Sequence, residues 1–291
     1  MKITDQYKKG LCPISFEIFP PKGELHPEDA RLVLSGLKEL SPAYISVTCS
    51  AGGTGGSSRK TAELSGIVQN EFDITAAAHI TGINAKKHEV DAAISDIKAH
   101  GISNILALRG DRIEGAEPGD FRYGAELIAY LKKSPVAGGL TIGAGCYPEG
   151  HVDCESFDKD LDHLKEKADA GAEFLISQLF FENESYYRFI DKARAKGVTL
   201  PVDAGIMPIM GKSQITRMVF LCGASLPAPV VRILAKYEND PEALRSACLD
   251  YAAAQIIGLI ESGAADGIHI YSMNKPDVAK ALVSEVRNAR H

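Results

Sequence analysis

The 291-residue chain has no tryptophan, and its six cysteines (Cys12, Cys49, Cys146, Cys154, Cys222 and Cys248) lie far apart with no Cys-x-x-Cys pair. With no histidine-rich segment at ligand spacing beside them, they argue against a zinc site and are expected to be reduced thiols. Basic residues are not in surplus: 32 Lys and Arg stand against 38 Asp and Glu, a net charge of -6. Nucleic acid is therefore excluded as an expected partner, because phosphate backbones are held by clustered cations. Apolar runs fall short of the ~20 residues that cross a bilayer, and the polar start from Met1 to Gly10 has no signal-peptide core. A cytoplasmic protein with no membrane partner is the expectation. The glycine fingerprint G-x-G-x-x-G is missing as well. The cluster Gly52, Gly53, Gly55 and Gly56 does not match it, which weighs against a doubly wound dinucleotide fold.

What the chain does contain is a repeated unit. Hydrophobic residues make up 45% and charged residues 24%, the balance of an ordinary globular protein. A short β-branched or apolar run, a loop and a longer amphipathic stretch recur about eight times, the pattern of parallel strands with crossover helices. The strand candidates are Ile14 to Phe19, Ala43 to Thr48, Ile74 to Ile80, Asn104 to Leu108, Leu140 to Cys146, Phe174 to Leu179, Val202 to Ile206 and Gly267 to Tyr271. Helices are expected over Pro27 to Leu40, Ala85 to His100, Ser156 to Ala170 and Pro241 to Ser262. Gly101, Gly171, Gly197 and Gly263 are placed to end helices in a left-handed cap. No Pro- or Ser-rich linker divides the chain. The pattern predicts a single (β/α)8 TIM barrel, one domain over residues 1–291, a size near the ~250 residues typical of that fold.

Chemistry in such a barrel gathers at the C-terminal ends of the strands, and polar residues fall there on every strand but the seventh. They are Glu17, Thr48, His79, Arg109 with Asp111, Tyr147 with His151, Gln178, and Tyr271 with Lys275. Alternation turns Ile14, Phe16 and Ile18 toward the helices and leaves Ser15 and Glu17 toward the barrel axis. In the third strand it sends Thr75 and His79 inward. Each residue also has a plain structural reading: His79 as a satisfied buried histidine, Arg109 with Asp111 as a loop ion pair, Gln178 as a cap on nearby backbone. Glu17 resists one, since an ionised carboxylate inside an apolar strand costs several kcal/mol unless paired, and no basic residue lies near it in sequence.

At these residues the chain resembles the methylenetetrahydrofolate reductase family. The segments concerned are Ser15-Phe16-Glu17-Ile18-Phe19-Pro20-Pro21-Lys22, Ala107-Leu108-Arg109-Gly110-Asp111, Tyr147-Pro148-Glu149 with His151, Asp169-Ala170-Gly171-Ala172 leading to Gln178-Leu179-Phe180-Phe181, Gly205-Ile206-Met207-Pro208-Ile209, and Gly267 through Lys275. They stand in family order over nearly the whole chain, and the chain resembles the short bacterial form that has the catalytic barrel alone. The resemblance implies flavin-dependent reduction of 5,10-methylenetetrahydrofolate to 5-methyltetrahydrofolate. Glu17 would be the general acid that protonates folate N10 and opens the ring. Asp111 would be the carboxylate near flavin and pterin, and Gln178 the amide that contacts both substrates in turn. Thr48, His79, Arg109, Gly110, Asp111, Tyr147, His151, Asp160 and Lys167 match flavin contacts. Gln178, Tyr271 and Lys275 match the folate side. FAD is the implied cofactor, with FMN the lesser alternative, and no metal is implied. The implied partners are the folate, NAD(P)H or a reduced electron-carrier protein, and further copies of the chain in a homo-oligomer.

Three positions depart from the common family pattern. Cys49 follows Thr48 where many members carry tyrosine, Glu166 stands where a basic residue is frequent, and Lys275 replaces an arginine, losing bidentate geometry. Two other readings keep the barrel but change its use: a non-catalytic or electron-transfer subunit of a reductase complex, and a flavin barrel of the proline-dehydrogenase kind. Intact Glu17, Asp111 and Gln178 weigh against both.

Overall fold

The computed structural model describes residues 1–7, 12–21, 26–49, 55–112, 115 and 117–289. Eight strands alternate with helices: β1 (Ile14–Ile18), α1 (Pro27–Lys38), β2 (Ile45–Val47), α2 (Gly55–Gly66), β3 (Ala76–Thr81), α3 (Lys87–Ala99), β4 (Asn104–Leu108), α4 (Gly124–Lys133), β5 (Thr141–Cys146), α5 (Phe157–Asp169), β6 (Phe174–Ser177), α6 (Asn183–Ala195) and β7 (Val202–Ile206). Three helices, α7 (Lys212–Cys222), α8 (Ala228–Lys236) and α9 (Pro241–Ser262), then precede β8 (Gly267–Tyr271), and α10 (Pro276–Asn288) follows it. The strands are all parallel, pair in chain order, and close where β8 meets β1, with Ser15 opposite His269 and Glu17 opposite Tyr271. This is the (β/α)8 barrel that the repeated pattern predicts. Strand ends differ from the expected ones by up to two residues, as where β2 keeps only Ile45–Val47 of the apolar run from Ala43 to Thr48.

Alternation along the strands sorts the core into two parts. Phe16 and Ile18, Ala76, Ala78 and Ile80, and Ile268 and Ile270 face outward into one continuous core with the helices. The opposite faces meet inside the barrel, where Tyr44, Ala77, Leu106, Phe174 and Ile176 pack with Ile3. A 3-10 turn over Ile3–Gln6 plugs the N-terminal end, its Ile3 amide donating to Asn104 Oδ1 at 2.9 Å. Glycine makes room in this interior: a Cβ on Gly143 would lie 2.3 Å from the Phe174 ring, closer than any packed carbon allows. The four glycines expected to close helices, Gly101, Gly171, Gly197 and Gly263, all have positive φ, from +65° to +110°.

α9 qualifies the expectation that no apolar run approaches membrane length. At 22 residues with a mean hydropathy of 1.2 it is long and apolar enough by composition to span a bilayer. It lies against α10, α8, α6 and β7 as part of the barrel's outer shell, with Leu244, Leu249, Ile256 and Leu259 buried.

Candidate active site

β1 delivers Glu17 to the mouth of the barrel, and the chain around it is strapped in place. The loop after β8 turns through Met273 and Asn274 at positive φ, so Asn274 can clamp the Phe19 backbone, accepting from its N–H at 3.0 Å and donating to its carbonyl at 2.9 Å. Ser272 Oγ donates to the Glu17 carbonyl at 2.6 Å. The Glu17 side chain itself is 20% exposed and makes no hydrogen bond among the described residues; its nearest polar neighbours are His79 Nε2 at 3.7 Å and His269 Nε2 at 4.0 Å. Neither ring neutralises it. Burial holds both imidazoles uncharged, their pKa values pushed down to about 3. With no cation at hand, burial pushes the Glu17 carboxyl up to about 8, so it carries its proton at neutral pH.

Glu17 opens into a cavity of about 360 Å³ over the barrel mouth, lined also by Thr48, His79, Asp111, Gln178 and Tyr271. A second cavity of about 330 Å³ continues outward between α4 and α5, with Tyr123, Lys159, Asp160, His163 and Lys167 on its wall. Leu108, Arg109, Gly145, Tyr147 and His151 line both, so the two form one bent channel. Gly110 bends the chain out of β4 with φ +81°, and a Cβ there would meet Thr81 at 2.8 Å; the position requires glycine both for its conformation and for space.

Charges along the channel change from end to end. Lys167 is half-buried, its Nζ donating to the Gly145 carbonyl at 2.9 Å and lying 5.2 Å from the centroid of the Tyr147 ring. Burial lowers its pKa, opposed by the nearby Asp160 carboxylate, whose own pKa burial raises. Tyr147 also meets His151 edge-on at 4.6 Å. His151 is held less basic than a free imidazole, first by burial and then by the Arg109 charge, and its Nδ1 accepts from the Asp153 backbone N–H.

Twelve of the thirteen residues singled out from the sequence line this channel. The exception is Lys275, exposed at the N-terminus of α10 and facing neither cavity. Two plain readings also resolve. Arg109 pairs with Asp153 at 2.7 Å and not with Asp111, while Gln178 does cap backbone, its Oε1 accepting from the Leu179 N–H at 2.9 Å. His79 is not a satisfied buried histidine, because its Nε2 is buried with no hydrogen-bond partner among the described residues. None of the six cysteines forms a disulfide among the described residues. Gly52 and Gly53 of the glycine cluster lie outside the described residues.

Sequence reading missed several residues of the site. The seventh unit does contribute: Met207 follows β7, and Met218 and Cys222 of α7 close one wall of the inner cavity. His269 was also missed, although the alternation that turns Ser15 and Glu17 inward applies to Gly267, His269 and Tyr271 on the adjoining strand.

Comparison with known proteins identifies the family of the chain. The family model described as methylenetetrahydrofolate reductase matches residues 2–287. The chain is 30% identical to methylenetetrahydrofolate reductase 1 of Schizosaccharomyces pombe, over 98% of this chain and 48% of that one. To 5,10-methylenetetrahydrofolate reductase of Pectobacterium carotovorum it is 31% identical, over 94% of this chain and 90% of that one. It thus spans about half the length of the fungal relative and most of the bacterial one. Among solved structures, a protein from Clostridium thermocellum described as binding two copies of 5-methyl-5,6,7,8-tetrahydrofolic acid superposes with a TM-score of 0.63 at 12% identity, over 99% of this chain and 97% of that one. That likeness is one of fold. A family match over almost the entire chain, with a relative 31% identical over most of both chains, means that the chain belongs to the methylenetetrahydrofolate reductase family.

Proposed function

We propose that this protein reduces 5,10-methylenetetrahydrofolate to 5-methyltetrahydrofolate with a bound flavin, supplying the methyl group of one-carbon metabolism. The observation that carries the reading is Glu17: a half-buried carboxyl at the inner end of a channel, uncharged at neutral pH, with no cation beside it. Such a group is poised to give a proton to a weakly basic nitrogen.

The channel suits FAD more than FMN. Its inner cavity offers Thr48, His79, Gly110 and Asp111 around a space for a planar ring system, and its outer cavity places Arg109, Lys159 and Lys167 where phosphates need cations. The flavin, once bound and reduced by NAD(P)H or by a reduced carrier protein, supplies the hydride. The chain's own residues do the rest. Glu17 protonates folate N10, which opens the imidazolidine ring to an iminium cation on the one-carbon unit. Asp111, an exposed carboxylate at the mouth, faces the positive charge that develops there. Gln178 presents an amide to the pterin edge, exchanging its bond to the Leu179 backbone for the ligand. Tyr271 lines the same wall, its hydroxyl anchored on the Ser177 carbonyl at 2.6 Å. A homo-oligomer in the cytoplasm is the setting proposed for it.

The test is a half-reaction experiment. Purified protein should be yellow, its flavin should bleach with NADH or NADPH, and methylenetetrahydrofolate should restore the colour. In Glu17→Gln the first step should persist and the second should vanish; loss of both would assign Glu17 a structural role.

A further inference from the structure

Residues 212–238, which carry α7 and α8, sit on the C-terminal rim of the barrel over a hydrophobic core of their own. Ile215 and Met218 of α7 and Val230 of α8 pack there with Leu179, Phe181 and Met207, apart from the main core between strands and helices. Packing of this kind is non-directional, so it seats a helix without fixing its register. Among the described residues, a single hydrogen bond and no ion pair joins 212–238 to any part of the chain before β7. The Ser225 backbone N–H, three residues beyond α7, donates to Glu149 Oε2 at 2.9 Å across 76 positions. Packing supports the same contact. Gly223 ends α7 at φ +67°, and a Cβ there would lie 2.6 Å from Val152 Cγ1, so the loop after β5 fits against the helix end only because the glycine leaves room for it.

The two segments joined in this way face each other across the channel. The loop after β5 carries Tyr147 and His151, which line both cavities, and α7 carries Met218 and Cys222, which line the inner one. Glu149 itself lines neither cavity and is half-buried beside them.

We propose that Glu149 is a positioning residue for the folate: by holding the end of α7 it keeps Met218 and Cys222 in place as a wall of the inner cavity before substrate arrives. The inference rests on reading that cavity as the folate site. A wall ordered in advance spares the ligand the entropy of ordering it. With the hydrogen bond gone, α7 keeps its apolar seat but samples several positions, and folate binding must select one of them. The loss then appears in KM. Once folate is seated the wall is in place with or without Glu149, so the chemical step proceeds at its ordinary rate and kcat is unchanged.

The acceptor oxygen is what the contact needs, and this separates Glu149→Gln from Glu149→Ala. Glutamine retains a carbonyl oxygen that accepts from the Ser225 N–H, whereas alanine retains nothing. Ser225→Pro removes the donor from the opposite side, away from the flavin loop.

The test is made on flavin-loaded enzyme. Glu149→Ala should raise KM for methylenetetrahydrofolate about tenfold, the worth of a hydrogen bond to a charged group, with kcat and FAD affinity unchanged. Glu149→Gln should stay near wild type. Hydrogen exchange of the amides over 219–225 should be faster in Glu149→Ala than in wild type, and saturating 5-methyltetrahydrofolate should abolish the difference. Ser225→Pro should reproduce the KM effect, the double variant should be no worse than either single one, and Ser225→Pro carries the test if Glu149→Ala fails to hold flavin. Wild-type KM in both Glu149→Ala and Ser225→Pro, additive losses in the double variant, or a Glu149→Gln as impaired as the alanine would overturn the proposal. Faster exchange over 219–225 in a protein whose wild type never reoxidises with the folate would overturn the reductase reading instead and leave the fastening of α7 standing.

Discussion

Replacing Glu17 by glutamine should make the protein more stable and inactive toward folate, and the gain should depend on pH in a defined direction. The carboxyl keeps its proton to about pH 8 in the folded chain, against an ordinary value of 4.5. Between those values the folded state holds a proton that the unfolded state has lost, so stability falls as pH rises, by about 1.4 kcal/mol per pH unit. From 4.5 to pH 7 that amounts to about 3 kcal/mol, and to about 5 kcal/mol at pH 8, above which the cost stays constant. Glutamine has the shape of the neutral acid and no proton to lose. Glu17→Gln should therefore match wild type at pH 4.5 and exceed it by about 3 kcal/mol at pH 7, equivalent to roughly 5 °C in Tm for a chain of this size. Urea denaturation of both proteins at equal flavin content, at pH 5, 6, 7 and 8, measures the difference. A variant less stable than wild type at pH 7, or a difference that does not grow with pH, would refute a desolvated, isolated acid. The same variant should lose about a hundredfold to ten-thousandfold in folate reduction, the range of a general acid.

Three further outcomes follow from the geometry. Lys167→Met, which removes a half-buried cation of the outer cavity, should weaken FAD binding about tenfold to a hundredfold, the worth of a charge-assisted hydrogen bond; titrated by fluorescence quenching, FMN should lose less. Asp111→Asn should lower kcat/KM for the folate by at least tenfold with little change in flavin affinity, and unchanged folate kinetics would remove its assigned role. Gly205→Ala places a methyl 2.2 Å from the Ser177 carbonyl oxygen and 2.8 Å from the Tyr271 ring; overpacking of that kind should cost about 1–3 kcal/mol in a denaturant titration.

The barrel was legible because its signals are local. Period-two alternation separates Phe16 and Ile18 from Ser15 and Glu17 within five residues, and glycines such as Gly101 and Gly263 mark helix ends through their own backbone preferences. Glu17, Arg109 and Gln178 were legible as residues of the channel wall because the fold sends the end of every strand to one rim. Lys275, near in sequence to β8, was less so. The helix that starts there carries it to the surface, which periodicity within a strand does not foretell.

Composition and alternation, then, determine by themselves the parallel (β/α)8 architecture and which residues face the axis, since both depend only on spacing along the chain. What surrounds those residues is decided by closure. Arg109 finds Asp153, 44 positions away, and not its sequence neighbour Asp111; Ser15 meets His269 across the β1–β8 seam; Asp203 is held by tyrosines from the first and second units. The protonation of Glu17 belongs to the same class. An isolated carboxyl in a sequence is an acid of ordinary strength, and only the desolvating walls brought around it by β3, β8 and α7 raise it to about 8.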